Sequence, residues 1–163
     1  MNPAYKILII ILFAVFLISA CGGSQANYNS NANAAEKASQ ANNAAKTNVE
    51  ELGLLINVPY ESEEVFWKDD PAIKKIVAVL RFPAGEANRL IADAQKVRPP
   101  QKVSINSESW FPQELIAQGD MSGDDMLGGQ SYAANAFFQD AYNDGRIIHI
   151  DDTDYFVLEM SAK

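Results

Sequence analysis

The chain of 163 residues predicts an α+β fold: a small antiparallel sheet with two main helices packed on one face, preceded by a signal helix and a disordered linker. Three observations lead there. An unbroken apolar run near the N-terminus gives way to 28 residues, 22 to 49, almost all small and polar. Large apolar residues return only after Glu50. From that point, stretches with apolar side chains at alternate positions are interleaved with stretches in which they recur every third and fourth.

The first element is "ILIIILFAVFLI", residues 7–18, behind a short segment with one charge at Lys6. A membrane span must cross about 30 Å of hydrocarbon and needs roughly 20 apolar residues. Twelve are too few, and the run ends in the small residues Ser19 and Ala20. This is the charged and apolar pattern of a secretory signal, so residues 1–20 are expected to be a signal peptide.

Within it, "ISAC", residues 18–21, is an aliphatic residue, two small ones and the sole cysteine of the chain. It resembles the lipobox of bacterial lipoproteins. The resemblance implies cleavage between Ala20 and Cys21 and a diacylglyceryl group on the Cys21 sulfur, with acylation of the new terminus. Two or three acyl chains anchor firmly, since each buried CH₂ contributes about 0.8 kcal/mol. Gly22 stands where an inner-membrane retention aspartate would stand, which by the same resemblance implies the outer membrane, facing the periplasm, in a host with two membranes.

Residues 21–49 then read as lipidated cysteine plus linker. Of residues 22–49, 22 are Ala, Asn, Ser, Gln or Gly, and only Tyr28 and Val49 are large and apolar. Such a segment cannot bury enough surface to offset its ordering entropy. As a flexible coil it reaches about 30 Å.

Residues 50–163 are expected to be one globular domain. "LGLLINV", 52–58, reads as a strand, and "KKIVAVLRF", 74–82, as a central strand stopped by Pro83. Residues 83–97 place Ala87, Leu90, Ile91 and Ala94 on one helical stripe, ended by "RPP". "KVSI", 102–105, is a short strand. "ESWFPQELIAQ", 108–118, is a short helix with Pro112 in its first turn. Four glycines in residues 119–130 suggest a loop. Residues 131–145 suggest the second main helix, with Ala134, Phe137, Phe138 and Ala141 on one face. "RIIHI" and "YFVLEM" then form a hairpin around "DDTD", with Phe156, Leu158 and Met160 to one side.

Charge narrows the function. The whole chain carries net −8, and residues 50–163 hold ten Lys and Arg against twenty Asp and Glu. Eight of those ten cations lie between 68 and 102, so a basic side and an acidic side are expected. The balance argues against nucleic acid and against adhesion to anionic lipid. His149 is the only histidine, which removes His-dependent triads and multi-histidine metal sites. The only thiol, at Cys21, is expected to carry lipid, and no cofactor is implied.

What remains is a short roster. Glu63-Glu64, Asp69-Asp70, Asp124-Asp125 and Asp151-Asp152 offer paired carboxylates for acid–base work, and also the composition of solvated turns. Asp120, Asp124 and Asp125 offer oxygen ligands to calcium, without the twelfth-position glutamate of an EF-hand. "SWFP" brings Trp110 and Phe111 together ahead of a proline. These two, with Trp67, serve either recognition or the core. The leading expectation is a lipid-anchored envelope protein whose domain binds an envelope protein or polymer without catalysis. The alternatives are a small-ligand or calcium-binding module, and a carboxylate-dependent enzyme.

Overall fold

The computed structural model describes residues 44–163. The signal peptide, Ala20, Cys21 and residues 22–43 of the expected linker lie outside the described residues.

Contacts with the domain begin ahead of Glu50. Lys46 and Trp67 exchange two backbone hydrogen bonds of 2.8 Å, and Lys46 Nζ lies 4.3 Å from the centre of the Trp67 ring. Asn48 Oδ1 accepts the Glu51 N–H at 2.8 Å, which caps helix α1, Val49–Gly53. Glu50 and Glu51 sit in its first turn, where the helix dipole favours negative charge. This corrects the strand expected over 52–58. Leu52 and Ile56 are both fully buried and Leu54 is 78% exposed, a spacing of four that belongs to a helical turn. Once Asn48 caps the chain, that spacing prevails over the β-branched composition.

Two strands follow, β1 (Glu64–Asp70) and β2 (Lys75–Arg81), then helix α2 (Ala84–Val97) and strand β3 (Gln101–Asn106). β1 is an element that the sequence reading lacked. The helix expected from residue 83 onward is present, with Leu90 and Ala94 buried. Helix α3, Gln113–Ser122, starts after Pro112 and ends at Gly123, whose φ of 82° is left-handed. Strand β4 already begins at Met126 and runs to Ala133. The loop expected over 119–130 is therefore only the turn 123–125, with helix before it and strand after it. Two of its glycines serve packing: a Cβ on Gly119 would lie 2.8 Å from Ser107 Oγ, and one on Gly129 would collide with the His149 carbonyl.

The helix expected over 131–145 does not form. Those residues hold the end of β4, a 3₁₀ turn at Asn135–Phe137 and the start of strand β5, Tyr142–Ile150. Tertiary contacts override the helical spacing. The Asn57 N–H donates to Phe137 O at 3.1 Å and Asn57 Nδ2 donates to Ala136 O at 2.7 Å, while Phe137 is buried in the core. Strand β6, Tyr155–Ala162, completes the expected hairpin with β5.

The six strands of the described residues form one antiparallel sheet in the order β1-β2-β6-β5-β4-β3. The class is α+β, as the sequence suggests. The two long helices, however, lie on opposite faces. On one face α1 and α2 cover Trp67, Leu80, Ile147, Phe156, Leu158 and Met160. On the other, α3 and Phe111 cover Val79, Leu127, Ile148, Ile150, Tyr155 and Val157. Each fully buried Leu, Ile or Phe contributes about 1.5–3 kcal/mol, so both faces stabilise the sheet.

Candidate functional site

Side chains two residues apart on a strand share a face, so exposure can be followed along the α3 side of each strand. On β2, Val79 is fully buried, Val77 half-buried and Lys75 exposed. On β6, Tyr155 and Val157 are buried while Glu159 and Ser161 are half-exposed. On β5, Ile150 and Ile148 are buried while Arg146 and Asp144 are half-exposed. Three adjacent strands thus change from covered to open at the same level. The ten residues of α3 roof one half of this face and leave the other half uncovered.

Two depressions meet at Lys75, which lines both. One, of about 380 Å³, is bounded by Lys68, Asp70, Ile73, Val77, Glu108 and Trp110. Its aromatic wall is held from three sides. Trp110 Nε1 donates to Glu108 Oε2 at 2.6 Å, the Phe111 ring meets Trp110 nearly at right angles with centroids 4.7 Å apart, and Lys68 Nζ lies 5.4 Å from the ring centre. Ile73, 66% exposed, projects at the rim.

The other depression, of about 360 Å³, lies at the ends of β2, β6 and β5, where Lys75, Asp144, Arg146, Glu159 and Ser161 of the α3 side meet Gly145, Met160 and Arg98 of the α2 side. Arg146 and Glu159 face each other across β5 and β6 and pair at 2.6 Å. Asp144 is paired with Lys163 at 3.0 Å. Arg98 Nη2 donates to Tyr132 O at 3.5 Å. Neither Lys75 nor Arg98 is paired with a carboxylate among the described residues.

The aromatic residues singled out in the sequence therefore part company. Trp67 is fully buried on the opposite face, its Nε1 donating to Asn48 O at 3.1 Å. Phe111 is buried under α3. Trp110 alone of the three is half-exposed, and it borders the open face.

Two of the carboxylate pairs, Glu63-Glu64 and Asp69-Asp70, are engaged in structure. Arg81 binds Glu63 at 3.4 Å and Glu64 at 2.8 Å, and Tyr155 Oη donates to Glu64 Oε2 at 3.0 Å. Asp69 pairs with Lys46 at 2.9 Å, and Asp70 accepts the N–H groups of Ala72 and Ile73 at the β1–β2 turn. Asp151 and Asp152 lie in the β5–β6 turn. His149 stacks on Phe156, with centroids 4.5 Å apart, and its Nε2 donates to Thr153 O at 2.8 Å.

Asp120 belongs to the last turn of α3, while Asp124 and Asp125 follow it. Asp124 Oδ1 accepts from Ser122 Oγ and from the Met126 N–H, at 2.8 and 3.2 Å. Among the described residues no three His, Cys, Asp or Glu side chains are grouped closely enough to hold a metal ion. Nor is any described helix long and apolar enough to cross a membrane.

Lys75, Arg98, Arg146 and Glu159 were not singled out in the sequence. The signal was the polar end of each alternating strand, Lys75 below Val77 and Val79, and Arg146 below Ile148 and Ile150. It becomes a site only when the strand order sets those ends side by side. Comparison with known proteins adds no analogue: no family model, no curated protein and no solved structure matches the chain.

Proposed function

We propose that this chain is a lipid-anchored protein of the bacterial cell envelope whose domain binds an envelope partner on the open half of its α3-side face. The observation that carries the reading is the simultaneous change from buried to open on β2, β6 and β5, with Trp110 fixed at its border. A half-exposed tryptophan whose indole N–H is already satisfied is a contact surface prepared in advance, and aromatic anchors of this kind dominate binding energy. Anchoring rests on "ISAC" and the sole cysteine at position 21. A catalytic reading draws less support, because Glu63, Glu64, Asp69 and Asp70 are tied to Arg81, Lys46 or turn amides.

The test is cross-linking of the full-length protein in intact cells, comparing wild type with Trp110→Ala and with Met121→Ala. Met121 is 82% exposed on α3, away from the site. A discrete adduct lost in Trp110→Ala and retained in Met121→Ala is the expected result. An adduct indifferent to Trp110 would contradict the reading.

A further inference from the structure

We infer that the 360 Å³ depression at Lys75, Arg98 and Arg146 receives the carboxylate of an acidic peptide segment in the partner. This rests on the binding reading above and specifies its chemistry. Both acids that line the depression are already neutralised, Asp144 by Lys163 at 3.0 Å and Glu159 by Arg146 at 2.6 Å. Lys75 and Arg98 are left as surplus cations in a domain of net −10. Positive surplus in a concave surface selects anions, while the net negative charge of the whole domain disfavours the approach of a second copy.

The size of the anion follows from the same residues. With Asp144 and Glu159 already paired, the surplus is the two cations Lys75 and Arg98, which a singly charged carboxylate satisfies in part and whose planar Arg98 fork it matches. The adjoining depression supplies the rest of the ligand. Lys75 is common to both, and beyond it stand Val77 and Trp110. A peptide chain advances about 3.3 Å per residue when extended, so neighbouring side chains can place a carboxylate beside Lys75 and an apolar group against Trp110. An acidic glycan fits less well. It needs open ring faces for stacking, and Trp110 already meets Phe111 at 4.7 Å and Lys68 at 5.4 Å.

The probe is a blocked peptide of alternating leucine and glutamate, titrated into the full-length chain in non-ionic detergent at constant ionic strength. The comparison ligands are the same peptide with glutamine for glutamate, inorganic phosphate and polygalacturonate. The glutamate peptide should bind best, and Lys75→Ala/Arg98→Ala should weaken it by at least about tenfold. Lys96→Ala/Lys102→Ala, which removes the same charge elsewhere, should weaken it far less. Equal weakening by the two double variants, equal binding of the glutamine peptide, or preference for phosphate or polygalacturonate overturns the inference. If that happens while cross-linking still depends on Trp110, the binding reading stands and only its anionic chemistry falls.

Discussion

Lys68 Nζ stands 5.4 Å from the centre of the Trp110 ring, joining the edge strand of the sheet to the segment that leads into α3. The contact sets a tryptophan at the border between the roofed and open halves of one sheet face. Phe111, its neighbour, turns inward and is only 5% exposed. Adjacent aromatic residues thus have separate tasks, and mutation should separate them.

Phe111→Ala should cost about 3–5 kcal/mol, as expected for a large ring removed from a packed core. Trp110→Ala should cost about 0.5–1.5 kcal/mol through the lost edge-to-face pair, while abolishing the partner adduct. Denaturant unfolding of the two variants beside wild type checks the order. Equal losses would mean that Trp110 is core as well.

Gly129 and Gly128 are consecutive in β4 and should respond differently to alanine. A methyl on Gly129 runs into the His149 carbonyl and Ile148 Cγ2, whereas one on Gly128 meets only Asp151 Oδ2 at 3.3 Å. Backbone cannot yield as a flexible side-chain end can. Gly129→Ala is expected to lose at least about 2 kcal/mol, in the overpacking range, and Gly128→Ala well under half of that. Thermal melts of both variants measure the difference.

Burial first, and the hydrogen bond to Glu64 second, raise the Tyr155 pKa above its usual 10.0. Burial also raises Tyr60 and Tyr132. The folded state therefore holds these phenolic protons after the unfolded chain has released them. Their contribution is complete below about pH 10 and is lost as pH rises through the folded values. Stability should decline above pH 10, and tyrosinate absorbance should rise together with loss of near-ultraviolet circular dichroism. Tyr155→Phe should reduce the steepness of that decline and cost about 0.5–1.5 kcal/mol at neutral pH. Titration of all three tyrosines without unfolding would contradict the assignment.

Anchoring is tested at Cys21. Cys21→Ser should abolish incorporation of radiolabelled palmitate and shift the protein out of the detergent-extracted membrane fraction. Retained fatty-acid labelling would overturn the lipobox reading.

Much of the class was legible in the sequence because β2, α2, β3 and the β5–β6 hairpin each carry a complete local signature. "KIVAVLR" is β-branched and bounded, the α2 stripe recurs at three and four, and "DDTD" closes its turn through the Thr153 hydroxyl. The failures have one physical source, which is distant contact. Ala134, Phe137 and Phe138 have helical spacing, but Asn57 takes up the carbonyls of Ala136 and Phe137 and holds a 3₁₀ turn. Gly129 helped to suggest a loop because a glycine admitted by close strand approach looks, in one sequence, like a glycine admitted by a turn. The site was half legible. Trp110 stood out by composition, whereas Lys75, Arg98 and Arg146 are ordinary surface cations until β2, β6 and β5 become neighbours.

The central claim is that a partner docks on the open half of the α3-side face, and a photo-crosslinking residue placed at Ser161 tests it most directly. Ser161 lines the cationic depression, while Ala92 is exposed on α2, over the opposite face. With the full-length protein in intact cells, irradiation should yield one discrete adduct from position 161, lost when Trp110→Ala is added, and none from position 92. Adducts from position 92 with none from 161 would place the partner on the other face and contradict the account.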